Sequence, residues 1–203
     1  MDNEFKRKLN VKLMRLHSSI DNQRANKTCL RRWSEFIRFR DGYRCVVCHS
    51  MSRVSAHHIC RKSFLEEAKF YTGNGITLCI DCHKVAHKGF NGKADYNQPM
   101  DEQGGEKIEI MLELYVELIN DAYERGLLCD EYYFLSDLVL CKFKLLQGYD
   151  PFSSFPGTQL EQAYLIWRQC PLPMRNAILE ANGFSATTDY LLPGMTIRYI
   201  NGE

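Results

Sequence analysis

The chain has 203 residues, 45% apolar and 25% charged, which excludes wholesale disorder and a fibrous repeat and fits one large domain or a compact domain with an appendage. No run of about 18 apolar residues occurs, so no membrane-spanning helix is expected. The formal net charge of +1 conceals a division: residues 1–100 carry 19 Lys and Arg against 9 Asp and Glu, and residues 101–203 carry 7 against 16. The first half is suited to a phosphate backbone, the second to solvent or a protein partner.

Residues 1–27 read as a basic extension in which Leu9, Leu13, Met14 and Ile20 give only a weak helical stripe. The first fifteen residues lack the apolar core of a secretory signal. Residues 28–40 are a clearer helix, with Leu30, Trp33, Phe36 and Ile37 on one face and Arg31, Arg32, Arg38 and Arg40 flanking it. Asp41-Gly42 stops it. Cys45-Val46-Val47-Cys48 reads as a tight knuckle, Arg53–Ile59 and Ile76–Leu78 as short strands, and Asp81–Lys88 as a short helix ended by Gly89. Residues 91–105 have no apolar period and read as a linker or loop.

Glu106–Arg125 carries the strongest helical stripe, stopped by Gly126. Asp130 is placed to cap a second helix over Glu131–Leu146. Further helices are expected over Thr158–Arg168 and Met174–Ala181, and an extended patch over Met195–Ile200. The fold class expected is α+β: a small metal-stapled core followed by a mostly α-helical C-terminal region.

Nine cysteines, an odd number without a secretion signal, argue against a disulfide framework and for a reducing, cytoplasmic setting. Four of them form two pairs, Cys45-x2-Cys48 and Cys79-x2-Cys82. Each pair delivers two thiolates from one tight turn, and together they complete a closed tetrahedral site, so a structural Zn2+ is expected. A redox dithiol would need a fold pattern that neither pair has. Cys79-x2-Cys82-His83 also spells the short haem-attachment signature, but haem would leave the other pair unexplained.

Four of the six histidines cluster as His57-His58 and His83-x3-His87. On a strand, His57 and His58 point to opposite faces. His83 and His87, four apart on a helix, share a face. His57, His83 and His87 then supply up to three imidazoles and leave positions open for phosphate and water. His17 and His49 read as ordinary histidines. Residues 101–203 contain no histidine, which confines metal-and-histidine chemistry to the first ninety residues.

The stretches Tyr43–Cys48, Ala56-His-His-Ile59, Asn74-Gly-Ile-Thr-Leu-Cys79, Asp81-Cys-His83 and Val85-Ala-His87 resemble, in order and spacing, the HNH (ββα-metal) nuclease family, in the subset with a four-cysteine structural zinc. The resemblance covers residues 30–90. It implies that His58 is the general base, that His57 ligates a catalytic metal, that Asn74 braces the loop and orients the base, and that His83 and His87 face the metal. Cys60 and the segment Arg61–Gly73 depart from the usual pattern. The implied activity is metal-dependent DNA hydrolysis leaving a 5′ phosphate, with Mg2+, Mn2+, Ni2+ or Zn2+ as the catalytic ion. Family members in mobile elements, restriction and phage defence often work with partners, which makes the acidic half a candidate docking region for an ATPase or recognition subunit, or for a second copy of the chain.

The domains expected are the basic extension 1–27, the nuclease domain 28–92, a linker 93–105 and the acidic helical region 106–203. Arg38, Arg40, Arg44, Arg53, Arg61, Lys62 and Lys88 are the candidate backbone contacts. The competing function is a zinc-stabilised nucleic-acid-binding or assembly subunit that does not cut.

Overall fold

Leu9, Leu13 and Leu16 recur every three to four residues and are buried on one side of α1 (Asn3–Asp21). This narrow stripe makes a nineteen-residue helix of the basic extension, while Met14, off the stripe, stays exposed. A short turn leads to α2 (Asn26–Arg40), which packs along α1 and buries Cys29, Trp33, Phe36, Ile37 and Arg40. The computed structural model describes residues 3–62, 65–87, 108–168, 176, 177, 180, 181, 183, 187–192 and 195–200. They fall into two compact units, 1–134 and 135–203.

In the first unit, β1 (Ser55–His58) and β2 (Gly75–Leu78) form an antiparallel hairpin, with His57 opposite Ile76 and His58 opposite Gly75. β1 begins two residues later than the apolar pattern suggests, because Arg53 sits in the left-handed region at φ 47°. α3 (Ile80–Ala86) follows β2 after Cys79 alone. The result is a ββα-like core laid on α2, which contacts both strands.

A buried ion pair locks this core to the helix. The Arg40 guanidinium donates to the Asp41 carboxylate (2.7 Å) and to the carbonyls of Thr72 (2.7 Å) and Gly75 (2.6 Å), over the face of Tyr133. Asp41 in turn accepts the backbone N–H of Thr77 on β2 (2.9 Å). The knuckle is pinned to the same strand, Val46 N–H donating to the Thr77 carbonyl (2.9 Å).

α4 (Ile108–Glu124) also belongs to this unit and buries Met111, Leu114, Tyr115, Leu118 and Asp121. Gly126, at φ 60°, ends it as expected. The next helix differs from expectation. Residues 130–132 form a turn, 133–135 are irregular, and α5 (Asp137–Leu146) starts only at the Ser136 cap. Phe134 is held by Thr72, whose hydroxyl accepts its N–H (2.9 Å), and its carbonyl accepts from Gly73 (2.9 Å), so these residues cannot join a helical ladder.

In the second unit, α5 packs on α6 (Gln159–Trp167), with the Phe143 and Trp167 rings 5.1 Å apart. Thr158 and Glu161 close a reciprocal capping box at the start of α6. The extended patch Met195–Ile200 is strand β4, paired antiparallel with β3 (Thr187–Leu192), a partner the sequence pattern did not announce. The expected loop 91–105 and Lys88 lie outside the described residues, as does half of the helix expected over Met174–Ala181. Among the described residues, no helix is long and apolar enough to cross a membrane.

Candidate metal centres and base

The two cysteine pairs converge. The sulfurs of Cys45, Cys48, Cys79 and Cys82 all lie within 4.8 Å of one another, brought from the knuckle after α2 and from the start of α3. Cys48 and Cys79 are 3.6 Å apart. That is too far for a disulfide, about 2.05 Å, and close to the roughly 3.8 Å edge of a tetrahedron built on Zn–S bonds of about 2.3 Å. Cys79 also caps α3, its sulfur accepting the Cys82 N–H, and this contact leads the effects that hold its thiol down to about 7. Cys82 is pushed up, first by burial and then by the other thiols around it. Several thiols so close oppose one another's ionisation, and a cation between them removes the opposition. The donor set fits a structural Zn2+.

The second cluster joins β1 to α3. His57, His83 and His87 each offer a ring nitrogen within 4.8 Å of the other two. Their rings meet edge to face, with centroids 4.7–4.9 Å apart and interplanar angles of 65–83°. The His83 and His87 Nε2 atoms are 3.1 Å apart, near the roughly 3.4 Å expected of two nitrogens about 2.0–2.1 Å from one ion at a tetrahedral angle. Burial, then the neighbouring His83, His87 and His58, holds His57 down to about 3, and burial lowers His83. These two imidazoles are neutral near pH 7, with lone pairs for a cation. Three protein nitrogens leave part of a coordination sphere open, unlike the closed cysteine set.

His58 faces the other way, as alternation on β1 requires. Its ring lies flat on the Trp33 indole, centroids 4.0 Å apart and planes 9° from parallel. Nε2 is 2.9 Å from the Lys69 carbonyl. A carbonyl only accepts, so Nε2 carries the proton and Nδ1 keeps its lone pair. Burial pushes His58 down to about 4, opposed by the hydrogen bond to Lys69 and reinforced by the charge of Lys62. His58 is therefore a neutral imidazole with a fixed tautomer, outside the three-histidine cluster but adjacent to it in the chain.

Its seat is built by residues that sequence reasoning treated as core or did not single out. Gly75 is directly opposite His58, and a Cβ there would come within 2.6 Å of the Trp33 ring and 2.7 Å of Ile37. The missing side chain is what admits the indole. Trp33 is fixed at its other end by donating Nε1–H to the Tyr71 carbonyl (3.0 Å). A glycine following Asn74 in a strand was the available signal, since strand glycine often marks close approach.

Asn74 is fully buried. Its amide oxygen accepts the Cys60 N–H (2.7 Å), and its Nδ2 donates to the carbonyls of Cys60 (3.0 Å) and Ala68 (3.2 Å). It thus joins the end of β1 to the turn that presents the Lys69 carbonyl to His58. Cys60 points into the core near Met111 and Tyr115 of α4.

The expected backbone contacts are dispersed. Arg40 is 0% exposed and saturated by Asp41 and backbone carbonyls, so it serves the fold and cannot meet a ligand from solvent. Arg44 pairs with the buried Asp121 of α4 and touches His49. Arg38 is half-buried, its Nε donating to the Ser34 carbonyl (3.3 Å). Arg61 is half-buried, and Arg53 and Lys62 are exposed. No protein-family model matches the chain, and no curated protein or solved structure matches it.

Proposed function

We propose that the first unit is a metal-dependent DNA endonuclease of the HNH type. The observation that carries this reading is the division of labour at two consecutive residues. His57 joins a three-imidazole cluster, while His58, on the opposite face of the same strand, is a neutral imidazole with its tautomer set by a backbone carbonyl. The order of knuckle, histidine pair, Asn74, second knuckle and histidine helix is the order of the family that the sequence resembles, and DNA as substrate rests on that resemblance.

In this reading, His57, His83 and His87 hold the catalytic divalent ion, and Cys45, Cys48, Cys79 and Cys82 hold the zinc. A divalent ion held there would supply positive charge to stabilise the phosphate and the leaving 3′ oxygen. His58 Nδ1 takes a proton from the attacking water as the new P–O bond forms. The P–O3′ bond breaks, the leaving 3′ oxygen takes a proton from solvent water, and the 5′ phosphate remains on the other fragment. Trp33, the Lys69 carbonyl and Asn74 keep the imidazole in one orientation, so little reorganisation is needed at the moment of reaction. Asn74 is a positioning residue: it touches the backbone that carries the base and not the base itself.

The test is cleavage of supercoiled, linear and single-stranded DNA across a panel of divalent ions by zinc-loaded protein, beside a folded His58→Ala variant. Cleavage that requires the added ion and falls about 100-fold or more in the variant is expected, the size of a lost general base. Binding without cleavage by the wild-type protein under every ion contradicts the reading and supports the non-cutting, nucleic-acid-binding alternative.

A further inference from the structure

Beyond the histidine site, the first unit holds a cavity of about 640 Å³ between α1 and α2. Arg15, Arg24 and Arg32 line it, together with Ser18, Asn22 and Thr28, and no Asp or Glu does. None of the three arginines is in an ion pair among the described residues, whereas the neighbouring Arg31 is paired with Glu35. Three guanidiniums along one concave surface with no carboxylate among its lining residues give a local positive potential that favours a polyanion.

We propose that this cleft is a second nucleic-acid site, gripping phosphodiester backbone away from the histidines. The donor set matches phosphate oxygens, with planar guanidinium forks and the hydroxyls of Ser18 and Thr28, while the Asn22 amide is turned back onto Ser18. Val11 and Met14 are the cleft's only large apolar side chains and its other lining residues are polar or charged, which gives a folded protein partner few side-chain anchors. Arg32 and Trp33 are consecutive on α2, so one helix carries both a backbone contact and the support of His58. Contacts here set register and salt dependence and read no bases. The choice of nucleic acid over another polyanion rests on the nuclease reading.

The experiment measures binding of a labelled duplex of about 30 bp by fluorescence anisotropy, over about 50–200 mM salt. It uses the full, zinc-loaded chain carrying His58→Ala, so that nothing is cut. A cleft variant, Arg15→Gln/Arg24→Gln/Arg32→Gln, is compared with Arg7→Gln/Lys27→Gln/Arg31→Gln, which removes equal charge from positions outside the cleft. Polyglutamate is a second probe.

The cleft variant is expected to bind the duplex about tenfold or more weakly and to lower the slope of log K against log salt by about 2–3. The control is expected to stay within about twofold, on the view that scattered surface charges hold no phosphate. Equal losses in both variants, unchanged binding in the cleft variant, or a parent that does not bind duplex overturns the proposal. So does arginine-dependent binding of polyglutamate with duplex binding intact, which makes the cleft an acidic-peptide site. Zinc content and melting temperature confirm folding, and single Arg24→Gln and Arg32→Gln variants read the slope one contact at a time if the triple variant fails to fold. Arginine-dependent duplex binding by a parent that never cleaves when His58 is restored sinks the nuclease reading and leaves this one standing.

Discussion

At the scale of single residues, two side chains depart from what their chemistry suggests in the sequence. Arg40 looks like one of several surface cations beside a metal site, yet it is wholly buried and ties α2 to Asp41, Thr72 and Gly75. Arg40→Ala strands the Asp41 carboxylate without its partner and is expected to destabilise the protein by about 3–5 kcal/mol. Chemical denaturation measures that loss. Trp33 looks like a core residue, and its indole also forms one wall of the His58 seat. Trp33→Phe preserves a flat surface and is expected to keep most of the activity. Trp33→Leu is expected to lower kcat about ten- to 100-fold with KM little changed, because a small misplacement of the base costs rate and not binding. Equal losses in kcat/KM for both variants at constant kcat would mean that Trp33 supports binding alone.

At the scale of elements, α3 couples the two candidate metal sites. Cys79 is both a cysteine of the closed cluster and the cap of the helix that presents His83 and His87. Cys79→Ser keeps a capping oxygen but removes a thiolate, and it is expected to empty the cysteine cluster and, through the loosened start of α3, to weaken the imidazole cluster, whereas His87→Ala leaves the cysteine site filled and weakens only the imidazole site. Metal content by mass spectrometry separates the two. A Cys79→Ser protein that keeps full zinc content and melting temperature refutes the four-cysteine staple. The hairpin offers a parallel case. Gly75→Ala places a methyl group against Trp33 and Ile37, and it is expected to reduce cleavage by moving the indole off His58 while both clusters still bind metal.

These elements also show what the sequence makes legible. Ligand spacing is local, so the cysteine pairs, the histidine pair and the four-residue step in α3 could be read directly. The helices α2, α4 and α6 announce themselves by periodicity. The start of α5 does not, because Phe134 is captured by Thr72 and Gly73, some sixty residues earlier in the chain. The fates of Arg40 and Arg44 were likewise hidden: their partners are a neighbouring carboxylate turned inward and an Asp121 far along the chain. Charge type is local information, but burial is not. The stripe of α1 was local information too: Leu9, Leu13 and Leu16 stand at i, i+4 and i+7, and it looks weak only when Met14 and Ile20 are counted in place of Leu16.

At the scale of the whole molecule, a four-cysteine cluster and a three-imidazole cluster share one unit with the fixed imidazole of His58, and the basic cleft between α1 and α2 belongs to the same unit. A small hydrophobic core with this many constrained polar groups depends on its staple. Removal of zinc by a chelator is expected to lower the melting temperature of the full chain and to abolish cleavage, and re-addition of zinc with a second divalent ion restores both. The acidic C-terminal region stays a candidate docking surface for a protein partner, proposed from its charge alone.

The most direct measurement is a titration of metal-free protein with Co2+, read by absorbance and by cleavage in the same samples. An intense sulfur-to-metal band filling first, weak visible bands filling next, and cleavage rising only with the second event are the expected result, with His57→Ala removing the second event and the cleavage together. Cleavage that saturates with the first event, or that survives loss of the second in His57→Ala, would contradict the assignment of the three imidazoles to the catalytic metal.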